Sequence, residues 1–165
     1  EDIYNFHPVD FYGLSKNLIA KKIRKHNNNI INLRLFGCFG VMEDSDRMIK
    51  SSINKIMNNK PITVHQNRKM DFFYINDLFK VMEFYINNFD KQLPIDVNMV
   101  YNKKIDLNQL ANSLKTLTKS QVDVIIEGES HGNSYTGDGE SLNDLNIDLI
   151  GLENGIKEVY NKCQK

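Results

Sequence analysis

Several things are scarce in this sequence of 165 residues. Its two cysteines, Cys38 and Cys163, lie far apart, which suits a reducing compartment and argues against a disulfide framework. The three prolines, Pro8, Pro61 and Pro94, each precede a candidate element, and neither a linker rich in Gly, Ser or Pro nor an internal repeat divides the chain. Net charge is absent: 21 basic side chains balance 21 acidic ones, so no global field recruits nucleic acid or an anionic membrane, and any anion site has to be local. No apolar run approaches the roughly 20 residues a bilayer requires, and Glu1, Asp2, Ile3, Tyr4 is not a basic segment leading into an apolar one. These absences predict a cytoplasmic protein whose partners include neither nucleic acid nor membrane. His7, His26, His65 and His131 show no ligand spacing with one another or with the cysteines, so no metal is expected. Residue 1 is Glu rather than Met, and the chain is read as starting inside a longer protein.

What is present is an alternation of helical periodicity with short apolar runs, which predicts an α/β fold. Residues 11–26 read as a helix through Leu14, Leu18, Ile19 and Ile23, with Lys21, Lys22, Arg24 and Lys25 late, where cations suit the dipole. Residues 30–36 form a β-branched run suited to a buried strand. A second helix spans 47–57, and strands are expected at 62–65, 72–75, 95–100 and 122–127. Asp77 is the expected N-cap of a helix through Leu78, Val81, Met82, Tyr85 and Ile86. Asp106 and Gln109 have capping-box spacing ahead of Leu110, Leu114 and Leu117. A Gly, Ser and Asn loop at 128–139 precedes a final amphipathic helix at 152–162.

The sharpest local signal is Tyr12, Gly13, Leu14, Ser15, Lys16, because side chains four apart on a helix share a face. A phenol titrates near pH ~10, and serving as a base near neutrality requires a drop worth about 4 kcal/mol. One ammonium at about 4 Å in an effective dielectric of about 20 supplies roughly that amount. A Tyr and a Lys so placed make an acid/base device. The spacing alone equally fits a packed Tyr beside a solvated Lys.

Order supplies the context. After YGLSK come Leu33, Arg34, Leu35, Phe36, Gly37, Cys38, Phe39, Gly40, then Lys60, Pro61, Ile62, Thr63, Val64, then Met70, Asp71, Phe72, Phe73, Tyr74, Ile75, Asn76, Asp77, Leu78. In this order the segments resemble the extended short-chain dehydrogenase/reductases that modify nucleotide sugars, the NAD-dependent epimerase/dehydratase family, whose patterns are YxxSK, LRxFNxYG, a Gly-x-Pro-Ile turn and RDFxYVxDL. Gly151 to Ile156 resembles the family's closing helix. The resemblance implies a Rossmann-like dinucleotide-binding half and a smaller α/β substrate-binding domain. No GxGxxG turn is present: Gly128, Gly132, Gly137 and Gly139 sit in a late loop without that spacing. The expectation is therefore the C-terminal half of such an enzyme, with the dinucleotide-binding half absent. Residues 1–40 would be the end of the Rossmann domain and residues 41–165 the substrate-binding portion, some of whose segments return to the Rossmann sheet.

The resemblance further implies an epimerase, dehydratase or 4-ketoreductase using NAD or NADP on a nucleotide-diphospho-sugar, as a homodimer that pairs through the Tyr12 helix. Tyr12 would exchange a proton with a sugar hydroxyl, Lys16 would hold the nicotinamide ribose, and Phe39 would border the cofactor. Gly37 and Cys38 would border the sugar, while Arg47, Arg68 and Lys69 would supply cations for the diphosphate. Two departures stand out: Met70 where the family usually has Arg, and Gly37 where it usually has Asn. Residues 40–48 also lack the His that the GDP-fucose reductase uses. Asp71 is expected to be structural, the aromatics at 72–74 to pack the sheet, and Glu127, Glu129, His131, Tyr135 and Asp138 to border the sugar pocket. The alternative reading is a non-catalytic fragment or regulatory binding module that keeps the fold.

Overall fold

The computed structural model describes residues 4–5, 8–25, 30–128 and 132–164. Helix α1 (Phe11–Lys25) starts where the Asp10 carboxylate accepts the Gly13 amide at 2.5 Å, satisfying one of the orphan donors of the first turn. It leads to β1 (Asn32–Leu35) and the two-residue β2 (Cys38–Phe39). Helix α2 (Met48–Met57) buries Ile49, Ile53 and Ile56, a stripe at helical spacing. Then follow β3 (Ile62–Val64), β4 (Phe73–Tyr74), α3 (Ile75–Asn87) and β5 (Asp96–Met99). Helix α4 (Leu107–Leu117) has the expected capping box in full: Asp106 accepts the Gln109 amide at 2.7 Å, and Gln109 accepts the Asp106 amide at 3.0 Å. Strand β6 (Val124–Ile126), the short α5 (Glu140–Asn143) and α6 (Leu152–Cys163) complete the order.

The strands form three parallel pairs, β1 with β5, β2 with β4 and β3 with β6, the α/β arrangement the alternation predicts. Parallel neighbours need a crossover, and helices supply it in each case. Two apolar clusters result. Phe39, Ile49, Ile53, Ile62, Val64, Leu110, Leu114 and Ile156 belong to one, and Val81, Tyr85, Val97 and Met99 to the other. Strand β4 stands between them. Phe72 and Tyr74 face the first and Phe73 faces the second, as the two-residue period of a strand requires. The aromatics at 72–74 thus pack the interior.

Asp77 departs from its expected role. Helix α3 begins two residues earlier, with Tyr74 at the cap position, so Asp77 lies inside the first turn and is fully buried. Its carboxylate accepts the Tyr101 hydroxyl at 2.5 Å and the amides of Ile150 and Gly151 at 2.7 and 2.9 Å, tying α3 to the entry of α6. The Asp106 spacing signals a true cap, whereas the partners of Asp77 lie 24, 73 and 74 positions away and leave no local trace.

Asp96 ties the other end. It accepts from Arg24 at 2.5 Å, Asn32 at 2.8 Å and Arg34 at 2.7 Å, joining α1, β1 and β5. Burial would raise this carboxyl, but the hydrogen bonds from Arg24 and Asn32 and the two guanidinium charges outweigh it and hold the group below its ordinary value. Among the described residues no helix is long and apolar enough to cross a membrane.

Replacing Asp77 by Ala leaves three donors facing an apolar interior, and urea unfolding should show a loss of about 2–4 kcal/mol. Tyr101→Phe removes one donor from the same cluster and should cost about 1 kcal/mol.

Candidate functional site

Tyr12 and Lys16 project from one face of α1, and the Lys16 Nζ lies 5.2 Å from the centroid of the Tyr12 ring. The ring quadrupole attracts an ammonium in this position. Tyr12 is 73% exposed, so the pair stands on an open face. Ser15 turns its hydroxyl back to the Tyr12 carbonyl at 2.7 Å and takes no part in the pair.

Beyond β1 the chain builds a groove of about 1030 Å³. Its walls come from the segment spanning β2 and the β2–α2 loop, from Arg68 to Asn76, and from Leu107 and Lys162. Carboxyl ends of parallel strands are where α/β folds gather ligands, and the β2–α2 loop has that position. The structure brings Gly37, Cys38, Phe39, Arg47 and Arg68 together along this groove. Tyr12, Lys16 and Lys69 do not line it; Lys69 is exposed and its backbone pairs antiparallel with that of Asp106. Phe39 is 1% exposed and its ring packs 5.2 Å from the Tyr74 ring, so its side chain belongs to the core beneath the groove.

Local structure explains the charges. Arg47 is the cap residue of α2, without a side-chain capping bond and with no acid in the first helical turn. A guanidinium at the positive end of a helix dipole favours an anion there. Glu43 reaches the same helix start, accepting the Lys50 amide. Its Oε2 is sealed from solvent with no hydrogen-bond partner among the described residues. Burial pushes this carboxyl up to about 7, against the Lys50 amide and the charges of Arg47 and Lys50. The Cys38 thiol is also raised, first by burial and then by Glu43, which keeps it protonated and a poor nucleophile. Lys50 donates to the Val41 carbonyl at 2.8 Å and to the Cys163 Sγ at 3.1 Å, fixing the loop against α6.

Gly37 is required by contact rather than conformation. A Cβ built there would lie 2.7 Å from the Asp71 carbonyl oxygen, while the Phe73 amide donates to the Gly37 carbonyl at 2.7 Å. Asp71 itself is buried, held by Lys104 at 2.9 Å and by the Gly137 amide at 2.8 Å, in the structural role its motif implies.

The polar stretch after β6 does not border the groove. Glu127 pairs with His65 at 2.6 Å, the Tyr135 ring packs 5.2 Å from Phe36, and Asp138 accepts the Glu140 amide at 3.0 Å; Glu129 and His131 lie outside the described residues. Glu43, Asn76 and Lys162 are among the groove residues that the sequence does not single out. Glu43 had a signal, an acid-rich run between a strand and a helix. Lys162 had none, since α6 comes to the groove only through tertiary packing, and Asn76 stands in the first turn of α3 without a local signal for the groove. Among the described residues no group of three or more His, Cys, Asp and Glu is placed to hold a metal.

The raised Glu43 sets a pH dependence of stability. Between its ordinary pKa of 4.5 and about 7, the folded chain keeps a proton that the unfolded chain has released, so stability falls as pH rises through that window. Thermal unfolding from pH 5 to 8 should show this fall in the wild type and a flatter profile in Glu43→Gln.

Comparison with known proteins places this geometry. A model described as the NAD dependent epimerase/dehydratase family matches residues 1–102. No curated protein gives a significant match. A UDP-N-acetylglucosamine 4-epimerase from Methanobrevibacter ruminantium, solved with UDP-N-acetylmuramic acid, superposes with a TM-score of 0.75 at 19% identity, over 100% of this chain and 57% of its own. A UDP-glucuronic acid 4-epimerase from Bacillus cereus, in complex with UDP-glucuronic acid and NAD, gives 0.72 at 15% identity, covering 99% and 55%. A UDP-glucose 4-epimerase from Thermus thermophilus, in complex with NAD, gives 0.73 at 11% identity, covering 99% and 57%. At such identities the likeness establishes the shared fold, and the chain spans a little over half the length of these structures. The family match extends over more than half of the 165 residues, and on that ground the chain belongs to the NAD dependent epimerase/dehydratase family.

Proposed function

We propose that the chain is the C-terminal portion of an NAD(P)-dependent enzyme that epimerises, dehydrates or reduces a nucleotide-diphospho-sugar, with Tyr12 as the acid/base and Lys16 as its partner. The observation that carries this reading is the convergence of the two side chains on an open face of α1 in a chain of this family. Lengths support it. Arg24 fixes the late end of α1 at Asp96, the first residue of β5, and a rise of about 1.5 Å per residue carries Tyr12 about 18 Å from Arg24. Strand β1, continued to Gly37, advances about 17 Å, so the helix is long enough to bring Tyr12 level with the groove.

The chain's donor chemistry fits a nicotinamide riboside: a phenol and an ammonium stand side by side with nothing packed over them. Lys16 would hold the ribose hydroxyls and Tyr12 would border the nicotinamide; this chain holds no Gly-rich turn for the pyrophosphate. When bound, NAD or NADP supplies the hydride acceptor and donor. Tyr12 takes the proton from a sugar hydroxyl and returns it. Arg47, Arg68 and Lys162 would neutralise the diphosphate along the groove, and Gly37 with Cys38 would border the sugar. The two free thiols, Cys38 and Cys163, suit a cytoplasmic setting for this chemistry.

A homodimer through α1 is part of the proposal. Phe11, Leu14 and Leu18 form one exposed apolar stripe, while only Asn17 and Ala20 of the helix are buried. The second reading, a binding module without turnover, draws on the fact that Tyr12 and Lys16 do not line the groove.

In the full-length protein, Tyr12→Phe should lower turnover on its nucleotide sugar by about 100-fold or more while cofactor affinity holds, as expected for a lost proton carrier. Unchanged turnover removes Tyr12 from the mechanism. Lys16→Ala should weaken cofactor binding and move the pH–rate profile upward. Light scattering should give a dimer mass, and Leu18→Glu should yield the monomer.

A further inference from the structure

The two departures from the family pattern meet in space. A Cβ built on Gly37 would lie 3.4 Å from the Met70 Cε and 3.6 Å from the Phe72 Cδ1. The Asp71 carbonyl oxygen, at 2.7 Å from the same point, leaves no room for a side chain at position 37, and the Met70 methyl fills the space in front of it. Met48 and Leu107 line the same groove and pack with Met70 against one core cluster. None of these side chains offers a hydrogen-bond donor. The acidic and cationic side chains Glu43, Asp44, Asp46 and Arg47 of the β2–α2 loop line the same groove, with Arg68 and Lys162. The groove therefore sets ionic side chains beside a floor of thioether and hydrocarbon.

That floor discriminates by chemistry. A ligand methyl laid on it leaves water for an apolar, adaptable surface, whereas a hydroxyl there gives up its water without a partner. We propose that Met70, laid over Gly37, is a specificity-determining residue that selects nucleotide sugars bearing a methyl-terminated substituent, acetamido or 6-deoxy, over the fully hydroxylated hexose. The proposal deepens the nucleotide-sugar reading above and rests on it. One methyl in a hydrophobic subsite is worth about 10-fold in discrimination.

The test is calorimetric binding of UDP, UDP-glucose, UDP-N-acetylglucosamine and UDP-6-deoxyglucose to the full-length protein, with Met70→Gln and Met70→Leu beside the wild type. The wild type should bind at least one methyl-bearing sugar about 10-fold more tightly than UDP-glucose, and the two arms tell an acetamido subsite from a 6-deoxy one. Met70→Gln should abolish the preference, Met70→Leu should keep it, and UDP itself should bind all three alike. Equal affinity of the wild type for the three sugars overturns the proposal without reference to any variant, as does a preference that survives in a folded Met70→Gln. If neither UDP nor any of the sugars binds, the nucleotide-sugar reading fails and the proposal with it. In protein labelled with 13C at the methionine methyls, the Met70 resonance should move on addition of the preferred sugar and stay in place with UDP. A stationary Met70 signal at saturation also overturns it.

Discussion

The approach of Gly37 to Asp71 is the constraint on which the groove depends. Two backbones meet there more closely than any side chain allows, with the Gly37 carbonyl accepting from Phe73 on the far side of the contact. The contact starts the β2–β4 pair, and β4 divides the two apolar clusters, so one crossing point sets both the floor of the groove and the partition of the core. Asp71 is held in turn by Lys104 and by the Gly137 amide. A buried carboxylate with a cation and a backbone donor is costly to disturb from either side. The position of the floor is therefore fixed from three separate stretches of chain.

Charged side chains line the groove beside this apolar centre. Arg47 and Glu43 share the start of α2, the cation open and one carboxylate oxygen sealed. A carboxyl forced towards neutrality beside a guanidinium leaves the local field more positive than the bare count of charges suggests.

Much of the architecture was legible because its causes are local. The capping box at Asp106 and Gln109 needs four consecutive residues, and the apolar stripes of α2, α4 and α6 need two or three turns; all are present as written. The two-residue β2 and four-residue α5 were not distinguished, since elements so short have no periodicity. Asp77 was read as a cap because an acid near a helix start is ordinarily one. Its partners are instead backbone amides at the entry to α6 and the Tyr101 hydroxyl, contacts that only tertiary packing creates. The same distinction divides the candidate site. Tyr12 with Lys16, and Gly37 with its neighbours, announce themselves by spacing and order. The place of Lys162 in the groove and the seating of Met70 on Gly37 exist only after packing has brought distant stretches of chain together.

Lys50 bonds to Cys163 across 113 positions, and the neighbouring Lys162 closes one side of the groove. During synthesis α6 leaves the ribosome after every other described element, so the nascent chain carries a half-built trough whose methionine-rich base faces water. Small molecules have nothing complete to recognise until that helix has docked. The groove is thus complete only once α6 has docked, and the interval before docking is when a chaperone has most reason to hold the chain.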